Sequence, residues 1–286
     1  MWKFDLTGSI DHWGIAIKSG STTKPLFIAC DAYNTAGQCS SNAVRQPITS
    51  RPIAIAHPAG GIMLLFGTGS YFLTEDSIAL SRKEAVYGIR DNQETNTVSK
   101  LNLLQQNIVS EVGASSENPK FSVRVLSNFT VDYSSKSGWY MNLITPNYSG
   151  YSGERVVSDL QVNNGRLIYT TIIPSTDPCD FGGKSWLMEQ DPINGSRLNI
   201  SVFDVNNDNA IDDNDFVSMV DNGKTIKVPV SGQAFEQLKS KDTIISDPEN
   251  YNIERKFSSG SNGEIISVME KGAGDLLGRQ SWKQLQ

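Results

Sequence analysis

"RPIAIAHPAGGIMLLFGTGSYF", Arg51–Phe72, is the stretch whose reading decides the fold class. Two short apolar runs flank a turn at Ala59-Gly60-Gly61, the pattern of a β-hairpin. "RVVSDLQVNNGRLIYTTII", Arg155–Ile173, repeats that plan around Asn163-Asn164-Gly165. Each hairpin is followed by an aromatic strand ending in Asp and a polar turn: "VYGIRDNQETN" (Val86–Asn96) and "SWLMEQDPINGS" (Ser185–Ser196). The opening "MWKFDLTGS" has the same shape. A module of roughly a hundred residues therefore occurs twice, with a fragment of a third.

Antiparallel modules of this kind read as β-propeller blades carrying insertions. One four-stranded blade cannot cover both of its faces, and stacking around an axis buries them. The expected class is all-β: a modified β-propeller, partial or C-terminal in a longer parent, with residues 1–286 as one domain. Helical signals are sparse. "QAFEQLKSK" (Gln233–Lys241) has the spacing for about two turns, and "SKLNLLQQNIVSEV" (Ser99–Val112) leans to strand through its β-branched end. Gly113–Lys120 reads as a polar loop.

With 38% hydrophobic and 20% charged residues the chain can bury a core and is neither disordered nor membranous. The net charge of −6 argues against a nucleic-acid footprint. Apolar runs such as Ile62–Phe66 are strand-sized and too short to cross a bilayer. The N-terminus lacks signal-peptide anatomy, and Met1 abuts a strand-turn unit, as expected of a piece cut from a longer protein. Cys30 and Cys39 bracket "CDAYNTAGQC", a loop short enough to bring two Cα atoms within disulfide range. The other reading is two separate thiols. A bond there favours an oxidising compartment, a periplasm or cell surface, and leaves Cys179 unpaired within the chain.

"DVNNDNAIDDND", Asp204–Asp215, has no Lys or Arg around it between Arg197 and Lys224. Asp204, Asn206 and Asp208 occupy the first, third and fifth places of an EF-hand-like register. Ala210 falls seventh, where a main-chain carbonyl serves; Asp212 falls ninth and Asp215 twelfth. Ile211, eighth, is apolar and suits an anchor to the core. Asn209 replaces the usual sixth-place Gly, and Asn tolerates positive φ next best. Asp215 replaces the usual Glu and has a shorter reach. "RLNISVF" (Arg197–Phe203) before the loop reads as a strand, and "FVSMVDNGKTIKVPV" after it as mostly strand. The expected ligand is Ca²⁺, which wants six to eight oxygens; the bland alternative is an acidic turn with no ion.

Other features read as structural. His57, before Pro58, suits a turn, and His12 stands in an unrelated context. No Cys/His cluster suggests zinc. "GTGS" (Gly67–Ser70) lacks the Lys of a phosphate loop, and "GAGDLLG" (Gly272–Gly278) lacks dinucleotide spacing. Sequons at Asn128, Asn147, Asn194 and Asn199 matter only in a glycosylating source. Glu154 and Asp159 suit turn caps, and no catalytic constellation emerges.

The phrases "HPAGGIMLLFGTGSYF", "AVYGIRDN", "GERVVSDLQVNNGRLIYTTIIPSTDPC" and "GGKSWLMEQDPINGSRL", with the opening "WKFDLTG" and closing "RQSWKQL" (Arg279–Leu285), resemble the C-terminal β-propeller of the PilC/PilY family. That family comprises tip-associated adhesins and assembly factors of bacterial type IV pili. The resemblance implies a calcium site whose short motif falls on Asp204, Asn206, Asp208 and Asp212, with the Ala210 carbonyl; Asp215 lies outside that short form. It also implies Ca²⁺ occupancy that tunes pilus extension against retraction and supports adhesion. Implied partners are pilin or minor pilin subunits and a host or surface receptor. The implied location is the periplasm, outer membrane or cell surface, at the pilus tip.

Departures accompany the resemblance. The family's N-terminal adhesive region and several blades are not in this sequence, and no Arg-Gly-Asp motif occurs. The alternative function is a quinoprotein-like propeller dehydrogenase, whose cofactor and calcium sit on the propeller axis. Ligands drawn from one contiguous loop suit a structural ion better, so no enzyme activity is expected. A dockerin-like reading would need two such loops with helices, and only one is present.

Overall fold

The Ile53–Ala56 and Ile62–Gly67 strands pair antiparallel, with Ala56 opposite Ile62, and the turn between them closes as His57 donates its N–H to the Gly61 carbonyl at 3.1 Å. Gly60 and Gly61 have φ of 82° and 81°, a region open to glycine, and a Cβ on Gly61 would meet the Asp91 carbonyl at 2.6 Å. The second hairpin is tighter. Gln161–Asn163 pairs with Arg166–Pro174 around Asn164-Gly165, both at positive φ (51° and 72°), as a two-residue primed turn requires.

The computed structural model describes every residue except 78–82, 94, 117, 147–150, 222, 248–249 and 275–286. The closing Arg279–Leu285 phrase, the Asn147 sequon and the end of "GAGDLLG" lie outside the described residues. Among the described residues the only helical pieces are five 3₁₀ turns of three or four residues, so the all-β reading stands. None of them is long and apolar enough to cross a membrane.

Contacts group the chain into two compact units that alternate along the sequence. Unit 1 holds Met1–Asn107, Asn128–Leu160 and Pro192–Ser196; unit 2 holds Ile108–Ser127, Gln161–Asp191 and the chain from Arg197 onward.

Unit 1 carries a five-stranded sheet in the order Ile53–Ala56, Ile62–Gly67, Ala85–Asp91, Gly138–Asn142, Leu103–Gln106. The first three strands are the hairpin and aromatic strand read from the sequence. The last pair runs parallel, with Gly138 opposite Leu103, which departs from the expected purely antiparallel blade. Phe27, Phe66 and Tyr87 pack ring on ring at centroid distances of 5.1–6.1 Å in its core. Trp139 is fully buried because glycines make room for it: a Cβ on Gly88 or Gly195 would come within 2.3 Å of its indole. Its Nε1–H donates to the Pro192 carbonyl at 3.1 Å, so the turn at Pro192–Ser196 serves as a lid on the Gly138–Asn142 strand.

Unit 2 carries a six-stranded sheet in the order Gln161–Asn163, Arg166–Pro174, Gly183–Gln190, Gly232–Phe235, Val123–Leu126, Ile108–Val112. It also has a three-stranded sheet (Thr243–Ser246, Ile253–Ser259, Ile265–Lys271) and a hairpin of Phe216–Asp221 with Lys224–Pro229. One core joins them: Val125, Ile168, Leu187, Phe203, Val217 and Val268 belong to a single buried cluster.

Two local expectations fail here. The helix expected over Gln233–Lys241 is instead, at its start, a central strand. Gln233 sits opposite Leu187 on one side and Val123 on the other, and two ladders outweigh two turns of weak helical spacing. The strand expected over Arg197–Phe203 has no ladder; only Phe203 bridges, to Glu270, and the Lys271 N–H donates to the Val202 carbonyl at 2.9 Å. The strands expected after the acidic loop form as read.

Candidate metal centre

The acidic loop leaves the unit 2 core at Phe203 and Val205, both fully buried, and returns to it at Val217. Val205 is held from outside as well, its carbonyl accepting the Lys120 N–H at 2.9 Å. Between these roots the backbone curls. Asn207 and Asn209 have φ of 59° and 66°, so the sixth-place Asn adopts the left-handed conformation that the register assigns to glycine.

The side chains fold over that curl. Asp204, only 7% exposed, accepts the Asp208 N–H at 3.1 Å and the Asn209 N–H at 2.9 Å, one on each oxygen. Asn206 Oδ1 accepts the Asp208 N–H at 2.9 Å, and its Nδ2 donates to Asp208 Oδ2 at 3.0 Å. Asp208 Oδ1 accepts the Ala210 N–H at 2.8 Å. The Asx turns at Asn206 and Asp208, with Asp204 reaching across them, bring the first, third and fifth places together.

The ninth and twelfth places form a second group. Asp212 caps a 3₁₀ turn over Asp213–Asp215, accepting the Asn214 N–H at 2.7 Å. Asp215 answers it, accepting the Asp212 N–H at 2.9 Å on one oxygen and the Val205 N–H at 2.7 Å on the other. Asp215 is fully buried, and burial raises its pKa above the ordinary carboxylate value; the nearby Asp204 charge pushes the same way, against the amides that favour the ionised form. Asp215 thus ties the two groups together, which its place outside the short motif did not foretell.

Among the described residues no group of three or more His, Cys, Asp or Glu side chains is gathered closely enough to hold a metal ion. The donor set nevertheless fits a hard cation. It is all oxygen, and a carboxylate that accepts one or two N–H groups keeps lone pairs for a ligand. Ala210 is exposed at the seventh place and Ile211 is half-buried at the eighth.

The other residues singled out from the sequence stand elsewhere. His57 Nδ1 accepts the Ala59 N–H at 3.1 Å in the hairpin turn, and burial lowers its pKa. Asp159 caps the chain at Arg51 N–H, 2.8 Å away. Cys30 and Cys39 are joined in a disulfide with Cα atoms 5.8 Å apart, and Cys179 is a free, exposed thiol.

Sequence reasoning did not single out two buried charged groups. In unit 2, Glu189, Glu254, Glu270, Lys256 and Arg166 form an ionic network, with both Asn163 and Asn164 donating to Glu254. In unit 1, the Lys100 ammonium lies over the rings of Tyr140, Tyr33 and Tyr87 at 4.2, 4.9 and 5.5 Å. Burial lowers the pKa of Lys100 to about 7.

No protein-family model matches the chain. Over its whole length it is 27% identical to the type IV pilus biogenesis factor PilY1 of Pseudomonas aeruginosa, of which it spans 25%. A PilY1 homologue of Xylella fastidiosa is 31% identical over 198 residues, covering 68% of the chain and 12% of that relative. The crystal structure of the Pseudomonas aeruginosa PilY1 C-terminal domain superposes on 90% of the chain and 50% of its own length, with a TM-score of 0.65 and 23% identity. The chain is thus a relative of PilY1, with the fold of that protein's C-terminal domain.

Proposed function

We propose that the chain is a calcium-binding module of type IV pilus assembly, part of a longer propeller-type parent, and not an enzyme. The kinship with PilY1 supports the pilus role. The observation that carries the calcium reading is the loop's backbone: Asn209 at φ 66°, Asx turns at Asn206 and Asp208, and an Asp204 carboxylate that accepts the Asp208 and Asn209 N–H groups put oxygens from Asp204, Asn206 and Asp208 over one short stretch. Ca²⁺ bound there would engage those three, the Ala210 carbonyl, Asp212 and Asp215.

The ion would neutralise carboxylates that otherwise repel, and stiffen a loop whose roots, Val205 and Val217, are core residues. In this reading ion occupancy sets the docking surface for pilin or minor pilin subunits. It thereby biases pilus extension against retraction, with surface attachment as the outcome, at the periplasm, outer membrane or pilus tip.

The test is titration calorimetry of the chain with Ca²⁺, beside Asp204→Ala. The expected result is one saturable site lost in the variant; equal heats for both would remove the ion from this loop. Cells whose full-length parent carries Asp204→Ala should then show altered piliation, and unchanged piliation would detach the ion from pilus assembly.

A further inference from the structure

A cleft in unit 1 stands apart from the acidic loop and from the function proposed for it. The Cys30–Cys39 loop forms one wall of this cleft of about 490 Å³. The short hairpin of Lys18–Ser19 with Thr22–Thr23 stands at the cleft too, through Lys18 and Ser19. Ile17, Ile28 and Val98 give the cleft apolar lining. Lys18, Lys24 and Arg45 also line it, all three exposed, and among the described residues no Asp or Glu lines it. In a chain with 31 acidic and 25 basic residues, a cleft whose described lining carries three cations and no carboxylate reverses the local sign of the charge.

The walls are built before any ligand arrives. The disulfide closes the loop, and the Tyr33 hydroxyl ties its base by accepting the Cys30 N–H at 2.8 Å and donating to the Ile28 carbonyl at 2.9 Å. Gly37 is pressed so closely on Ser99 that a Cβ there would overlap the Ser99 hydroxyl. A preformed cleft with apolar lining and a few charged groups is the form of a ligand site.

The lining also narrows the ligand. Neutral sugars are gripped by carboxylate or amide acceptors together with an open aromatic face. Here the amides of Gln38 and Asn96 line the cleft, but among the described residues no carboxylate does, and the Tyr33 ring is engaged by the Lys100 ammonium 4.9 Å from its centroid. We infer that the cleft binds an acidic peptide segment, its carboxylates paired with Lys18, Lys24 and Arg45 and an apolar side chain set against Ile17, Ile28 and Val98.

The test uses fluorescence anisotropy with fluorescein-labelled hexapeptide pools in which Asp or Glu accompanies Ile, Leu, Val or Phe. Matched pools carry Asn and Gln instead, and a third arm uses labelled oligogalacturonate. The acidic pool should bind saturably, weaken with salt, and lose at least tenfold in affinity in the Lys24→Gln, Arg45→Gln double variant, whose exposed substitutions should leave the thermal melt unchanged. Absence of saturable binding, equal binding of the Asn/Gln pools, or affinity unaffected by the double variant would overturn the proposal. Binding of oligogalacturonate alone, lost in the double variant, would overturn it in favour of an acidic glycan.

Discussion

One oxygen of the Asp215 carboxylate accepts the Val205 N–H at 2.7 Å, fastening the twelfth place of the acidic loop to the second. Asp215 is therefore a clasp as well as a candidate ligand. Its raised folded-state pKa means that the protonated form is favoured by folding. The associated stabilisation is complete below the unfolded carboxylate value, and is lost as pH rises through the folded value. In calcium-free buffer, wild type should gain stability relative to Asp215→Asn as pH is lowered through that range. Denaturant midpoints for both proteins at several pH values check this; a gap that does not change with pH contradicts it.

Calcium should raise stability by mass action. With an affinity typical of extracellular modules, 10 mM Ca²⁺ should add roughly 1–3 kcal/mol. Urea titrations with and without Ca²⁺ measure it. Asp208→Ala should abolish the gain, and Mg²⁺, which keeps its waters, should not reproduce it.

The buried ionic network should be intolerant of losing one partner. Lys256 is fully buried and paired with Glu189 and Glu270. Replacing it with Met takes from Glu270 the counter-charge it has here and leaves Glu189 to Arg166 alone, at a cost of about 3–5 kcal/mol. Adding Glu270→Gln to Lys256→Met should recover part of that loss. Equilibrium denaturation of the two variants checks both expectations.

Lys100 makes an opposite pH signature. With its folded-state pKa lowered to about 7 from an ordinary 10.5, its neutral form is favoured by folding. That contribution is complete above the unfolded value and is lost as pH falls through the folded one. Between pH 7 and 10, wild type should gain stability relative to Lys100→Met, a comparison open to thermal melts across that range.

The disulfide closes a loop with a sequence separation of 9. Chain-entropy arguments for a loop of that size give about 2.5 kcal/mol. The Cys30→Ser, Cys39→Ser double variant should be destabilised by that order in chemical denaturation, and should also bind the acidic peptide pool more weakly.

The parts of this fold legible in the sequence are those written in local chemistry. Gly60-Gly61 and Asn164-Gly165 announced their hairpins because few other residues accept those dihedrals. Asn209 announced the curl of the acidic loop in the same way. Pairings between distant segments left no such mark: nothing near Leu103 points to its parallel alignment with Gly138, and nothing near Gln233 declares two ladder partners. The strand Ile253–Ser259 reverses the usual pattern outright. It buries Glu254, Lys256 and Ser258 and leaves Ile253 and Phe257 half-buried, so reading apolar as inward selects the wrong face. The candidate ligands were legible by register, whereas the clasp by Asp215 depends on a fold that brings Val205 within reach.

The two units are threaded through each other along the chain, which passes between them after residues 107, 127, 160, 191 and 196. Neither can be liberated by a single proteolytic cut or a simple truncation. A nascent or translocating chain cannot finish unit 1 until residue 196 has emerged, by which point the first strands of unit 2 are already exposed. A chain halted at that point would hold every strand of the unit 1 sheet, while Gly183–Gln190 of unit 2 would still lack its neighbour Gly232–Phe235 and offer an open edge to whatever chaperone attends it.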